Sequence, residues 1–427
     1  MADVRSVLVL GSTGFIGTRL TQKLRDAGFR VRLTTHGTRP AADAIRVDYT
    51  TDHSVGTWLP RLAGIDIVIN AVGIFVEQGP RTFRALHTTA PVAVFEACAH
   101  AGVQHVVQIS ALGADTGTTE YFRSKRRADE YLMGLPLRWT IIQPSLVYGE
   151  QGRSSHLFRV LASMPLLLLP AGGRQRIQPV HVDDVCLAII AVLSDPGSRC
   201  LSVPVTGPDA ISLRGYLQSL RSQLGLEPAL VLPLPNGIAR AVGWLSGWMP
   251  GAMLRPDALK MLNQGSTASA SVLESILGRP PRPVASFVPP GHAPQLLLQA
   301  RLGWLLPLLC AAIGVLWLAS GAVSLWAYPR ADSLALLNQA GIPDILQPMV
   351  LHAAAWCDML LGVLSLRFPR KPWVWLIQIA VVLGYTAVIS ARLPEFWIHP
   401  FGPVVKNIPV LAVLLLLYLR ARDRWTT

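Results

Sequence analysis

The sequence predicts a doubly wound parallel α/β sheet with a substrate-side subdomain, followed by an all-α domain of four membrane-spanning helices. Three observations carry that reading. From Val7 to Ser110 short apolar runs alternate with helical stretches, the pattern of parallel strands joined by crossover helices. The first run, Val7-Leu8-Val9-Leu10, enters Gly11-Ser12-Thr13-Gly14-Phe15-Ile16-Gly17, which is a strand, a glycine turn and a helix start in succession. After residue 300 charges thin out and long apolar stretches begin, which raises the mean hydropathy of the 427-residue chain to +0.40 with 51% apolar residues.

Each glycine of the first turn has its own task. Gly11 permits the tight turn, Gly14 lets backbone approach a pyrophosphate, and Gly17 lets the helix pack close to the strand. The helix start offers free N–H groups and the positive end of the dipole, so phosphate is favoured there. Gly11, Ser12, Thr13, Gly14, Phe15, Ile16 and Gly17 are therefore the leading candidates for holding a dinucleotide. The helix is expected from Phe15 to Ala27 with Gly28 ending it, and a second strand from Phe29 to Thr34. That strand leads into Thr34-Thr35-His36-Gly37-Thr38-Arg39, without the acid that an NAD site places on the ribose. His36 and Arg39 tilt the choice towards NADP(H) over NAD(H). Ile45-Arg46-Val47-Asp48 reads as a short strand that brings Asp48 near an adenine. Ile65 to Gly73 reads as a buried strand ending in Ala71, Val72 and Gly73 beside the cofactor. A helix holding Pro91 to Ala101 leads through Gly102 to a strand ending at Ser110.

The chemistry is concentrated in Ser110 and in Tyr121-Phe122-Arg123-Ser124-Lys125. Helical spacing puts Tyr121 and Lys125 on one face. A lysine cation close to a phenol favours phenolate and lowers its pKa. Tyr121 is then a proton donor to a carbonyl oxygen as hydride reaches the carbon, and Ser110 a hydrogen-bonding group for the same oxygen.

These stretches resemble a short-chain dehydrogenase/reductase of the extended or atypical kind, in the group that includes the nucleotide-binding accessory subunit of respiratory complex I. The resemblance is carried by Gly11–Gly17, by Val107-Gln108-Ile109-Ser110-Ala111-Leu112-Gly113-Ala114 and by Tyr121–Lys125. It continues through Gln143-Pro144-Ser145-Leu146-Val147-Tyr148-Gly149 and Ile177-Gln178-Pro179-Val180-His181-Val182-Asp183-Asp184-Val185, and spans about residues 4 to 285. It implies a Rossmann-type fold, catalytic roles for Tyr121, Lys125 and Ser110, and cofactor contacts at the glycines, near Asp48, at Ala71 to Gly73, and around Pro144 and Ser145. Gln143 stands where the family more often has arginine. Members of this group can bind NADP(H) without turnover. The cluster His181, Asp183 and Asp184 is implied to fasten the substrate region to the sheet, and no metal site is expected.

The substrate-side region is expected over 151–278. Met164 to Pro170 is too short to span a bilayer. Residues 236–254, with Trp244, Trp248, Met249, Leu254 and Arg240, read as a core helix, a lid or an interfacial helix. The prolines of 279–294 mark a stiff linker, taken as 279–300, between a nucleotide-binding domain over 1–278 and a membrane domain over 301–427. Four spans are expected, near 302–327, 349–366, 373–391 and 404–420, the last interrupted at its start by Lys406 and Asn407. Arg367, Arg370 and Lys371 in one loop, and Arg420, Arg422 and Arg424 in the tail, place both on the cytoplasmic side with the N-terminal domain. This part resembles the DoxX-like membrane family through Trp397 to Asn407 and the span around Asp358. A lone mid-span carboxylate is costly, so Asp358 should meet a partner or a cavity, with His352, His399, Lys406 and Asn407 as candidates.

Composition excludes some classes. Five scattered cysteines without a C-x-x-C pair argue against a disulfide framework or a zinc site. The net charge of +13 comes from dispersed arginines without interleaved stacking aromatics, so nucleic acid is not an expected partner. The start of the chain runs straight into the first strand, so no signal peptide is expected. The overall expectation is an integral protein of a bacterial inner membrane, with the N-terminal domain and C-terminus cytoplasmic. It would transfer hydride between NAD(P)(H) and a carbonyl or alcohol of an apolar, lipid- or quinone-like substrate. The alternative is a non-catalytic NADP(H)-binding assembly or sensor subunit. Expected partners are a lipid-soluble substrate, membrane lipid, and a membrane complex or a second copy.

Overall fold

The computed structural model describes residues 5–36, 44–195, 197, 200–234, 237, 260–261 and 266–423. The chain divides into two compact units, Met1–Leu298 and Gln299–Thr427.

The first unit is built on a seven-stranded parallel sheet. Its strands are β1 (Ser6–Leu10), β2 (Arg30–Thr35), β3 (Ala44–Arg46), β4 (Ile67–Asn70), β5 (His105–Ile109), β6 (Trp139–Pro144) and, after four short strands, β11 (Leu201–Val205). They lie in the order β11-β6-β5-β4-β1-β2-β3. The middle strands β1, β4 and β5 are buried along their whole length, which is why their sequences are continuous apolar runs and not alternating ones. Helices α1 (Phe15–Asp26), α2 (Val55–Trp58), α3 (Ala90–Ala101) and α4 (Glu120–Met133) supply the crossovers among the first six strands. Chain order reverses between β1 and β4, so a crevice opens at their C-terminal ends, the place where open α/β sheets bind ligands. The glycine turn follows β1 there and Ala71-Val72-Gly73 follows β4. The strand expected from Ile65 to Gly73 keeps only Ile67–Asn70 in the ladder, and Asp48 lies in a turn beyond β3.

The remaining elements are β7 (Val147–Tyr148), α5 (Arg153–Ser163), β8 (Leu166–Pro170), β9 (Arg176–Ile177), β10 (Val180–His181), α6 (Val182–Ser194), β12 (Ile211–Ser212), α7 (Leu213–Gln223) and β13 (Leu230–Leu234). Three two-stranded sheets, β7–β10, β9–β12 and β8–β13, form the part expected to be the substrate-side region. The proline-rich stretch after Gly278 belongs to the first unit. Its Phe287 is fully buried and stacks on Tyr148 with ring centres 4.8 Å apart. Arg279 pairs with Asp184 at 2.6 Å, and the Arg282 amide donates to the same carboxylate. Arg19 of α1 pairs with Asp183 at 2.6 Å. His181, Asp183 and Asp184 thus take arginine and backbone partners and tie the substrate-side region to the first helix. Residues 238–254, with Arg240, Trp244, Trp248, Met249 and Leu254, lie outside the described residues, as do Arg39 and Arg424.

In the second unit three helical stretches are long and apolar enough to cross a membrane: Pro290–Ala327, Gln347–Arg367 and Pro372–Arg392, the first beginning in the preceding unit. The fourth expected span is the helix Asn407–Arg422, whose 16 residues fall short of the ~20 that a hydrocarbon core requires. It nevertheless belongs to the bundle. Leu414 and Leu417 join Trp317, Leu361 and Trp375 in one buried cluster. A helix absent from the expectation, Arg330–Gln339, stands between the first two. A Cβ on Gly362 would lie 2.9 Å from the Gly314 carbonyl oxygen, so small residues set the approach of two spans. Asp358 is buried and clamped by hydroxyls: Ser320 Oγ donates to it at 2.9 Å and Tyr385 Oη at 3.4 Å. The candidates His352, His399, Lys406 and Asn407 are not the groups that bond it; Asn407 donates to Thr386 instead.

Candidate active site

The glycine turn is pinned from below by β2 and the segment after β3. The Gly11 amide points at two hydroxyls, Thr34 Oγ1 and Tyr49 Oη, each 3.1 Å away. Those hydroxyls are 2.8 Å apart, and burial pushes the Tyr49 phenol up to about 12, so it stays protonated. Ser12 Oγ donates to the Thr34 carbonyl at 2.7 Å, so this serine is spent on the turn itself. Gly11 adopts φ +72°, which a side chain would strain, and a Cβ there would meet Ala71 backbone at 3.0 Å. On Gly17 a Cβ would lie 2.1 Å from the Gly11 carbonyl oxygen, so α1 can sit this close to the turn only without a side chain.

Thr13 and Gly14 are exposed, and Gly14 is the N-cap of α1 with no side chain bonded to the helix's first amides. Open amides at a helix start are the condition for holding an anion. Phe15 and Ile16 are half-buried, and the ring of Phe15 fills the space that a Cβ on Gly149 would need. His36 meets Tyr49 edge-on at 5.2 Å. Asp48 accepts from the Thr50 amide and hydroxyl, which hold its carboxyl below the usual range. The Pro144 carbonyl receives the Leu112 amide, and Ser145 donates to the Gln178 carbonyl, so these two anchor loops at the end of β6.

Helix α4 delivers the second set. Thr119 caps it, and Tyr121, Ser124, Lys125, Asp129 and Leu132 form its buried face. Lys125 Nζ donates to Ile109 O at 2.9 Å and to Val72 O at 3.3 Å, and so bridges the exits of β5 and β4. Tyr121 is set among rings: it stacks on Phe75 at 5.2 Å and meets His87 and Phe122 edge-on, each at 5.4 Å. Ser110 turns its hydroxyl to Asp129, to which it donates a hydrogen bond, and not to Tyr121. The structure therefore brings Lys125 to Val72 and Gly73, and Ser110 to Asp129.

Residues 7–199 match the NAD dependent epimerase/dehydratase family, and residues 314–415 match the DoxX-like family. The two matches fall on successive parts of the chain. The chain is 28% identical over 250 residues to an Arabidopsis thaliana mitochondrial protein, NADH dehydrogenase (ubiquinone) 1 alpha subcomplex subunit 9, covering 55% of this chain and 61% of that one. It is 24% identical over 253 residues to a ceramide reductase of Caulobacter vibrioides, covering 58% and 79%. To the NADH-ubiquinone oxidoreductase 40 kDa subunit of Neurospora crassa it is 23% identical over 187 residues, covering 42% and 49%. It thus spans less than two thirds of the length of both NADH dehydrogenase relatives. Among solved structures, a nucleoside-diphosphate-sugar epimerase of Staphylococcus aureus aligns with a TM-score of 0.53 at 16% identity, covering 67% of this chain and 99% of that one. The UDP-glucuronic acid 4-epimerase of Bacillus cereus, solved with UDP-glucuronic acid and NAD, aligns at 0.51 with 17% identity, covering 68% and 99%. These likenesses show the fold.

The electrostatics of the epimerase/dehydratase-type domain depart from the expectation in one respect. The Tyr121 phenol is not lowered. Burial, and then the nearby Asp129, hold its pKa above the ordinary value, and Lys125 is engaged by two carbonyls. Burial brings Lys125 itself down to about 8 and lifts Asp129 to about 6. His87 is fully buried in a π-helical turn, Arg84–Thr89, ahead of α3. Ser124 donates to the Tyr121 carbonyl, so His87 Nδ1 must donate to Ser124, while Nε2 accepts the Ile74 amide. That pattern needs a neutral imidazole, and burial lowers its pKa well below the ordinary value.

Sequence reading missed Asp129, His87 and Ser124. One signal was available for Asp129: it falls one turn after Lys125 and two after Tyr121, on the same helical face. Its titration gives a test. Asp129 keeps its proton to about pH 6 in the folded chain, against about 4 when unfolded. Folding therefore takes up a proton between those values, and stability falls as pH rises through them. In Asp129→Asn the thermal midpoint should change less than the parent's across that window and should not drop at neutral pH. Equal slopes for the two proteins would contradict the assignment.

Proposed function

We propose that the chain is a membrane-anchored NAD(P)(H)-dependent oxidoreductase acting on a carbonyl or alcohol of an apolar, lipid- or quinone-like substrate. The observation that carries this is Lys125, which ties the Tyr121 helix to the residues following β4 and β5, at the same sheet edge as the open helix start of α1. Reductases among the relatives support the class, including an NAD(P)H azoreductase of Xenophilus azovorans at 24% identity. Gly11 to Gly17 and Ala71 to Gly73 would hold the dinucleotide, with Pro144 and Ser145 shaping the far wall. The lack of an acid after β2, with His36 in its place, favours NADP(H), and Asp48 would stand near the adenine.

Bound there, the cofactor supplies hydride. Tyr121 supplies the proton to the oxygen that becomes hydroxyl, and a phenol kept protonated by burial suits reduction better than alcohol oxidation. Lys125 places positive charge beside Val72 and Gly73, and Ser110 would have to release Asp129 to act as a hydrogen-bonding group for the substrate oxygen. One observation favours a second reading, a nucleotide-binding subunit without turnover: Lys125 and Ser110 already have internal partners, and two relatives are named as NADH dehydrogenase subunits.

NADPH absorbance decides between them. A lipid extract of the source membrane, added to the detergent-solubilised chain, should bleach NADPH faster than NADH. Tyr121→Phe should cut the rate by at least about a hundred-fold with little change in NADPH affinity. A rate that ignores Tyr121, or tight binding without bleaching by any lipid fraction, would overturn the enzyme reading.

The arginines of 367 and 370 with Lys371, and Arg420 with Arg422, support a cytoplasmic N-terminal unit and C-terminus in a bacterial inner membrane. Protease added outside intact spheroplasts should leave the first unit uncut. Its degradation there would reverse the orientation.

A further inference from the structure

The segment between β4 and α3 closes on itself. Gln78 and Arg81 exchange backbone hydrogen bonds, and the Glu77 carboxylate accepts the Phe83 amide at 2.7 Å. The segment then enters the π-helical turn Arg84–Thr89, a wider turn of a kind common at functional sites. His87 is fully buried in that turn. Its Nε2 accepts the Ile74 amide at 3.0 Å, so the end of the segment holds its beginning. Its Nδ1 lies 3.0 Å from Ser124 Oγ, and Thr88 Oγ1 donates to the Ser124 carbonyl at 2.9 Å. The same turn is thus bonded twice to α4.

What is held in this way is the surrounding of Tyr121. Phe75, next to Ile74, lies almost parallel to the phenol, at 13° and 5.2 Å between ring centres. Phe83 and His87 meet the phenol edge-on at 5.9 and 5.4 Å. A ring on a loop keeps such a pose only where its backbone is fixed. Among the described residues, the hydrogen bond nearest in sequence to Phe75 is the one from Ile74 to His87. Only an unprotonated ring nitrogen accepts an amide, and only a neutral imidazole accepts at Nε2 while donating at Nδ1. An apolar side chain would fill the same space and do neither, which gives a reason for histidine among these rings.

We propose that His87 is a positioning residue for Tyr121. By gripping the Ile74 amide it keeps the Phe75 ring over one face of the phenol, and so fixes the side from which the hydroxyl meets a substrate. This rests on the reading that Tyr121 is the proton donor. The test places 3-fluorotyrosine at position 121 of the full detergent-solubilised chain and reads its fluorine resonance without cofactor or substrate. Phe75→Leu removes the stacked ring and gives the reference shift. His87→Leu should move the resonance in the same direction, because releasing Ile74 lets the ring leave. His87→Gln, whose side-chain carbonyl can accept the same amide, should restore most of the parent position. With natural Tyr121, NADPH and decylubiquinone, kcat should fall by roughly ten-fold or more in His87→Leu and recover in His87→Gln, with KM for NADPH unchanged. No shift in His87→Leu, or no rescue by glutamine, would overturn the proposal, as would a shift that leaves kcat untouched. Where His87→Leu does not fold, nitrogen-15 spectra of the parent decide. A neutral ring protonated on Nδ1 supports the grip, and a proton on Nε2 overturns it. Matched shifts without turnover of decylubiquinone or of any lipid fraction would overturn the enzyme reading and leave the grip on Phe75 standing.

Discussion

The fit of α1 against the turn that precedes it sets the geometry of everything at the sheet edge. Gly17 lies so close to the Gly11 carbonyl that even one methyl group would part them. The Gly11 amide, in turn, is gripped by Thr34 and Tyr49, which reach it from the next strand and from the segment beyond. The turn is therefore rigid before any ligand arrives, and its outer residues, Thr13 and Gly14, are left facing outward. Rigid, open amides bind an anion with little ordering cost, since the orientation is already fixed by buried hydrogen bonds.

The catalytic candidates are organised by a second buried network, on α4. Lys125 reads two strand ends at once, and its neighbours on the helix reach the other polar groups: Ser124 to His87, and Asp129 to Ser110. Three ionisable groups are thus packed into an apolar setting that shifts Asp129 up and Lys125 and His87 down. Burial is the largest cause in each case. Such shifts mark functional sites more often than ordinary cores, though structural networks produce them too. Here the network also holds the tyrosine helix in register with the ends of β4 and β5.

Much of this was legible in the sequence because the physics is local. β1, β4 and β5 announce themselves as continuous apolar runs since both their faces are covered, and Gly17 is explained by a contact only six residues away. The DoxX-like match and the apolar helices agree with the composition change after residue 300. What stayed hidden depends on contacts far apart in the chain. Asp129 finds Ser110 across 19 residues, and His87 finds Ser124 across 37. The prolines made the stretch after Gly278 look like a linker, but Phe287 packs it into the first unit, because prolines exclude regular structure without preventing a ring from entering a core. The last bundle helix proved short because it begins only at Asn407, with Lys406 as its N-cap.

The proposed function joins a nucleotide-binding domain to an apolar bundle in one chain because its substrate would live in the bilayer. The first link in that chain of reasoning is that the glycine turn holds a dinucleotide phosphate. Calorimetry of NADPH and NADH with the full detergent-solubilised chain tests it most directly, with Gly14→Asp as the control. Gly14 has ordinary backbone angles and a Cβ there would meet only the Gly11 carbonyl, at 3.1 Å. The aspartate should thus fold, yet set a negative charge where phosphate is expected. Saturable binding by the parent, tighter for NADPH, with loss of at least about ten-fold in the variant is the expected result. Equal binding by the two proteins, or none by the parent, would contradict it.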